Sequence, residues 1–125
     1  LPICLQLGSK QVAEATPVVL HEYLHAFQGR LEPAQQRQIG LFYQRARTTG
    51  AFRPDAYMLS NFREYFAMTG TAVLVGNIER EPLSRARVQA VQPVYYDWLV
   101  RTFGIDTTRL PAQDSGWAEQ RCRSL

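Results

Sequence analysis

The sequence predicts a mainly helical domain, α+β at most. Apolar residues recur at three- and four-residue spacing from about residue 16 to residue 103, and Pro and Gly punctuate those stretches where helices start and stop. A weak strand-like alternation is confined to Ile3 to Leu7. At 125 residues and 14.3 kDa the chain forms a single domain spanning 1–125, with enough residues for a core that needs neither metal nor disulfide.

Thr16-Pro17 starts the first helix, with Thr as N-cap and Pro at the first helical position. It carries Val18, Val19, Leu20, Leu24 and Phe27, and Gly29 ends it. Apolar nearly all round, it is expected to be central and buried. Pro33 opens a second helix, whose Ile39, Phe42, Tyr43 and Ala46 share one face, and Thr48-Thr49-Gly50 closes it. Ala51 to Leu59 connects, with Pro54 and Asp55 as turn formers. Ser60 or Asn61 caps a third helix with an apolar stripe of Phe62, Phe66, Thr69 and Val73, terminated by Gly76-Asn77. Glu81-Pro82-Leu83-Ser84 is a loop that supplies the next cap. A fourth helical region follows from Ser84 to Phe103, broken or kinked at Pro93 and stopped by Gly104. The tail from Asp106 has no clear period, and Trp117 is expected to pack it back on the body.

Composition excludes several function classes. Hydrophobic content of 46% and charged content of 20% are ordinary for a soluble globular chain, and no apolar run approaches the ~20 residues of a membrane span. Net charge is +3, from 14 basic and 11 acidic residues. The basic residues are scattered, clustering only in Arg45-Ala46-Arg47 and Arg85-Ala86-Arg87, and no groove-reading motif accompanies them. They read as a solvated face, so no nucleic-acid partner is expected.

Both histidines of the chain fall in His21-Glu22-Tyr23-Leu24-His25, an H-E-x-x-H pattern. Residues four apart lie on one helix face a turn apart, where two imidazoles can hold one zinc ion. Glu22 then lies beside the first ligand, in a position to take a proton from a zinc-bound water. The competing reading is an amphipathic core helix whose histidines are satisfied by neighbours. A catalytic zinc site keeps three protein ligands and one open position. With histidine exhausted, the third ligand has to be a carboxylate or a thiolate. Glu64 is the candidate, because its neighbours in Asn61-Phe62-Arg63-Glu64-Tyr65-Phe66-Ala67 imply a helix packed on the core, where an unpaired carboxylate is costly. The alternative is an exposed Glu64 paired with Arg63 or another neighbour.

Taken together, His21 to His25, Glu64 in E-Y-F-A and Tyr57 seven residues before it resemble the gluzincin metallopeptidases of the anthrax lethal factor type, a pattern shared by the secreted Pro-Pro endopeptidases of clostridia. A fainter likeness continues into Arg87-Val88-Gln89 and Pro93, so the resemblance covers about residues 16 to 103. It implies a compact zincin-like fold and zinc-dependent hydrolysis of a protein or peptide substrate. It also implies His21, His25 and Glu64 as zinc ligands, Glu22 as the catalytic base, and Tyr57 as the hydroxyl that meets the scissile carbonyl. Without the resemblance, Tyr57 reads as a loop aromatic packed on the core. Members of the family place a small sheet upstream of the H-E-x-x-H helix, and its edge strand binds substrate by β-augmentation. Here about fifteen residues precede the helix, so either Ile3 to Leu7 is a remnant strand, or the sheet lies outside this sequence, or another chain supplies it. Two other functions remain open: a catalytically inactive zinc-binding interaction or regulatory domain of zincin descent, and a metal-dependent amide hydrolase acting on something other than protein.

Cys4 and Cys122 sit near opposite ends of the chain, and neither has a partner at metal-ligand spacing. Domain termini often lie close in space, so the two read either as a disulfide, which implies a secreted or extracytoplasmic setting, or as unrelated thiols. The first residue is Leu1 rather than Met, which reads as a processed or recombinant form from which any signal peptide would already be gone. If the disulfide forms without strain, closing so long a loop stabilises the fold by roughly 4–5 kcal/mol. Intact mass with and without alkylation, in the absence of reductant, is expected to show no modifiable thiol; two alkylated cysteines in protein made under oxidising conditions would exclude the bond.

Overall fold

The computed structural model describes residues 17–78 and 83–106. In chain order these form α1 (Pro17–Gly29), α2 (Pro33–Thr49), a 3-10 turn (Tyr57–Leu59), α3 (Phe62–Val75), β1 (Asn77–Ile78), β2 (Leu83–Ser84), α4 (Arg85–Val91) and α5 (Pro93–Phe103). The fold is mainly helical, as predicted. Ile3 to Leu7, both cysteines, the Thr16 cap and Trp117 lie outside the described residues. No described helix is long and apolar enough to cross a membrane.

The helix ends follow local chemistry. At α2 the Gln35 side chain turns back and accepts from the Glu32 backbone N–H at 2.9 Å. Asn61 Oδ1 accepts from the Glu64 N–H at 2.9 Å and caps α3, and Ser84 Oγ accepts from the Arg87 N–H at 3.0 Å and caps α4. Gly50 and Gly104 end α2 and α5 at φ 69° and φ 70°, left-handed positions that favour glycine. Pro93 divides the last helical region as expected, leaving Gln92 between α4 and α5.

Two expectations change. The segment read as a loop at 81–84 ends in a strand residue pair: Leu83 and Ser84 pair antiparallel with Ile78 and Asn77. In addition, the helix buried all round is α3 rather than α1. Every residue from Tyr65 to Val75 is buried, so the expected stripe widens to the whole circumference. The cause is topological, since α1, α2, α4, α5 and the 3-10 turn all pack against α3. One face of α1 is buried, through Leu20, Leu24, Phe27 and Gln28, while Val19, Glu22 and Ala26 remain exposed.

Aromatic rings fill the space around α3. Phe66 stacks on Phe27 at 6.3 Å between centroids, Phe103 meets Phe27 edge-on at 5.5 Å, and Tyr65 stacks on Tyr95 at 4.8 Å. The buried hydroxyls around α3 are paired internally, whereas Gln28 Oε1 on α1 is buried without a hydrogen-bond partner. Thr69 Oγ1 donates to the Tyr65 carbonyl at 2.6 Å and receives the Tyr95 hydroxyl at 2.6 Å. The Tyr65 hydroxyl donates to Gln92 Oε1, and Gln92 Nε2 donates to the Phe42 carbonyl at 3.2 Å. The break between α4 and α5 is thereby tied to both α2 and α3. Burial holds the Tyr65 and Tyr95 phenols well above their ordinary pKa, so both remain neutral donors. At the far end of α3, Arg85 Nε donates to the Val73 carbonyl at 2.8 Å, placing a cation where the helix dipole favours one.

Gly70 allows α1 and α5 to approach α3 closely. A Cβ there would lie 2.9 Å from Leu24 Cδ1 and 3.1 Å from the Phe103 ring. Gly70→Val is therefore expected to cost about 1–3 kcal/mol through overpacking. Gly40, inside α2, has open space around its Cα, so Gly40→Ala is expected to gain up to about 1 kcal/mol. Denaturant midpoints of the two variants should move in opposite directions.

Candidate metal centre

The site is assembled by the packing of α1 on α3. Leu20 and Leu24 are fully buried, and each immediately precedes a histidine. Their anchoring turns His21 and His25, one helical turn apart, toward the edge of the α1–α3 seam. Glu64 enters from the first turn of α3, held there by the Asn61 cap. A carboxylate at that position also faces the positive end of the helix dipole.

The three side chains converge tightly. His21 Nε2 lies 3.0 Å from Glu64 Oε2, His25 Nε2 lies 3.1 Å from Glu64 Oε1, and the two Nε2 atoms are 3.2 Å apart. No proton arrangement satisfies all three contacts while Glu64 is ionised. If both imidazoles carry the proton on Nε2, two N–H groups face each other. If one or neither does, at least one nitrogen lone pair faces a carboxylate oxygen. A cation between the three groups removes the conflict, because each then presents a lone pair to positive charge. The spacing fits as well. Ligand atoms about 2.0–2.1 Å from a tetrahedral ion stand about 3.3 Å apart, so a small opening of this triangle makes it one face of a tetrahedron. Among the described residues these three form the group of His, Cys, Asp and Glu side chains close enough to bind a metal.

The centre is neither buried nor on open surface. The His21 and Glu64 side chains are each 15% exposed and that of His25 is 27% exposed. An ion held here has protein on one side and solvent access on the other, as an open coordination position requires. Glu64 faces the imidazoles, not Arg63, which is itself exposed, so the surface-pair alternative for Glu64 does not describe it.

Glu22 and Tyr57 lie outside this triad. Glu22 is exposed on α1, next to His21 in the chain. Tyr57 is 41% exposed on the 3-10 turn, while its neighbours Met58 and Leu59 are buried. The residues that pack this turn on the core are thus Met58 and Leu59, while Tyr57 remains partly exposed to solvent. The turn is held by Ser60 Oγ donating to the Tyr57 carbonyl at 2.7 Å and by the buried Tyr43 hydroxyl donating to the Leu59 carbonyl at 2.7 Å.

Two polar anchors near the site were not visible in the sequence. Tyr43 counted only as a member of the α2 apolar face, and nothing local marks a partner 16 residues away. Gln28 continues the His21–His25 line by one more turn, is buried, and joins α1 to α2 by donating to Gln36 Oε1 at 3.2 Å. Its i, i+4, i+7 spacing with the histidines was the available signal.

No family model, curated protein or solved structure matches this chain.

The geometry predicts one divalent-cation site per chain. Adding a divalent ion to metal-stripped protein should raise the thermal midpoint, since an ion that binds only the folded state stabilises it. The shift should saturate at a single equivalent and vanish in a His21→Ala, His25→Ala double variant.

Proposed function

We propose that this protein is a zinc-dependent endopeptidase of the gluzincin type. The observation that carries this reading is the convergence of His21, His25 and Glu64 within 3.0–3.2 Å contacts beside an exposed Glu22. An all-nitrogen-and-oxygen donor set of two imidazoles and one carboxylate suits zinc and is the set used by hydrolytic zinc sites. Bound there, zinc would supply a Lewis acid that brings the pKa of a water toward ~7.

The chain's own residues account for the remaining steps. His21, His25 and Glu64 would hold the ion, and because they bring one negative charge against a divalent cation, the site would keep a positive charge that favours an anionic oxygen. Glu22 accepts the proton of the attacking water and returns it to the leaving amine. Glu22 suits that role because its side chain is solvent-exposed and is not among the three converging groups. Tyr57 donates its hydroxyl to the oxyanion as the carbonyl is attacked. The turn that carries it is fixed to α2 through Tyr43 and runs directly into the cap of the helix bearing Glu64. A secreted or extracytoplasmic setting accompanies this reading and rests on the expected Cys4–Cys122 bond.

Elemental analysis of the purified protein should find about one zinc per chain, lost in His25→Ala. Peptide substrates are to be found by digestion of a peptide library with mass-spectrometric readout. Glu22→Gln should retain zinc and fold yet lose nearly all turnover. Tyr57→Phe should lower kcat by about 10²–10³ with little change in KM. Parent-level cleavage by Glu22→Gln would assign the activity to another site. Zinc-loaded protein that cuts no peptide would leave the zinc-binding interaction domain as the function.

A further inference from the structure

We propose that Asn61 is a positioning residue for the metal centre: by accepting from the Glu64 N–H, its side chain fixes the first turn of α3 in the place from which the Glu64 carboxylate faces the two imidazoles. The inference rests on the reading of His21, His25 and Glu64 as a zinc site.

The first turn of a helix has backbone N–H groups without intrahelical partners. Asn61-Phe62-Arg63-Glu64 carries the capping-box pattern, in which the N-cap side chain and the side chain three residues on exchange bonds with each other's backbone. A Glu in that position ordinarily turns back to the N-cap N–H. The protein shows the closed arrangement elsewhere: at α2 the equivalent side chain, Gln35, accepts from the Glu32 N–H at 2.9 Å. At α3 only half of the box is made. Asn61 Oδ1 accepts from the Glu64 N–H at 2.9 Å, and both Glu64 oxygens instead stand 3.0 and 3.1 Å from the histidines.

This division of labour makes Asn61 specific to the site. Its oxygen fixes the backbone of Glu64 itself, one side chain away from the carboxylate that would hold the ion. Without that oxygen the Glu64 N–H loses its acceptor, and the turn that carries the carboxylate is free to fray. The carboxylate would then meet the ion from a less fixed backbone. Partners that orient metal ligands commonly contribute 10–100-fold to metal affinity.

The test is zinc affinity measured by competition with a chromophoric chelator, for the whole chain and four variants. Asn61→Ala is expected to bind zinc ~10-fold more weakly. Asn61→Gly lacks the same oxygen but keeps most of the helix's stability, so it should weaken zinc equally with little change in thermal midpoint. Asn61→Ser restores a capping oxygen and should restore affinity. Ser84→Ala removes the corresponding bond at α4, where Ser84 accepts from Arg87, and should leave zinc affinity at the parent value. Parent-level affinity in Asn61→Ala and Asn61→Gly would overturn the inference and leave the zinc site standing. Equal loss in Ser84→Ala would also overturn it, by assigning the effect to general stability. A parent chain that binds no zinc would remove the site and the inference together.

Discussion

Burial of α3 on every side is the constraint to which the other elements answer. A helix dry from Tyr65 to Val75 has no water to satisfy its hydroxyls, its carbonyl end or its neighbours' phenols, so each must be met by protein. Thr69 and Thr71 bond back to their own helix, Arg85 reaches in to the last turn, and Gln92 receives the Tyr65 hydroxyl. The surrounding helices are placed by those obligations as much as by apolar contact. The close seams follow from the same burial, since Gly70 lets Leu24 and Phe103 reach the α3 backbone.

The candidate centre sits where that dry helix begins. Phe62 is half-buried, Arg63 is exposed, Glu64 is partly exposed, and burial becomes complete at Tyr65. At this boundary a carboxylate can be held rigidly without being removed from water altogether, which would be prohibitive for an unpaired charge. The histidines come from a helix of mixed exposure, with buried leucines at 20 and 24 aiming the imidazoles at 21 and 25. Ligands that are prealigned but still wetted on one side suit an exchangeable coordination position better than a sealed one.

Much of this was legible in the sequence because the signals were local. Pro and Gly marked the ends of α2 and α5, Asn61 and Ser84 marked caps, and Pro93 marked a break. The H-E-x-x-H spacing and the Glu64 context singled out the three side chains that converge. What was not legible depended on distant partners. Helical periodicity assigns a face to α3 but does not report that other elements will cover the remaining faces, so burial was attributed to α1 instead. The β1–β2 pair is two residues long and too short for alternation to register. Tyr43 and Gln92 find their partners 16 and 27 residues away, beyond the reach of any pattern in one stretch of chain.

Glu64 and Tyr65 are consecutive, yet they belong to different worlds: the carboxylate meets the imidazoles, and the phenol is locked to Gln92 between α4 and α5. They share one stretch of helical backbone, so holding the phenol also limits where the Glu64 backbone can stand. Through Gln92, α4 and α5 therefore steady the stretch of α3 that carries the carboxylate. A disturbance at the Gln92 joint would reach the carboxylate through the backbone of α3.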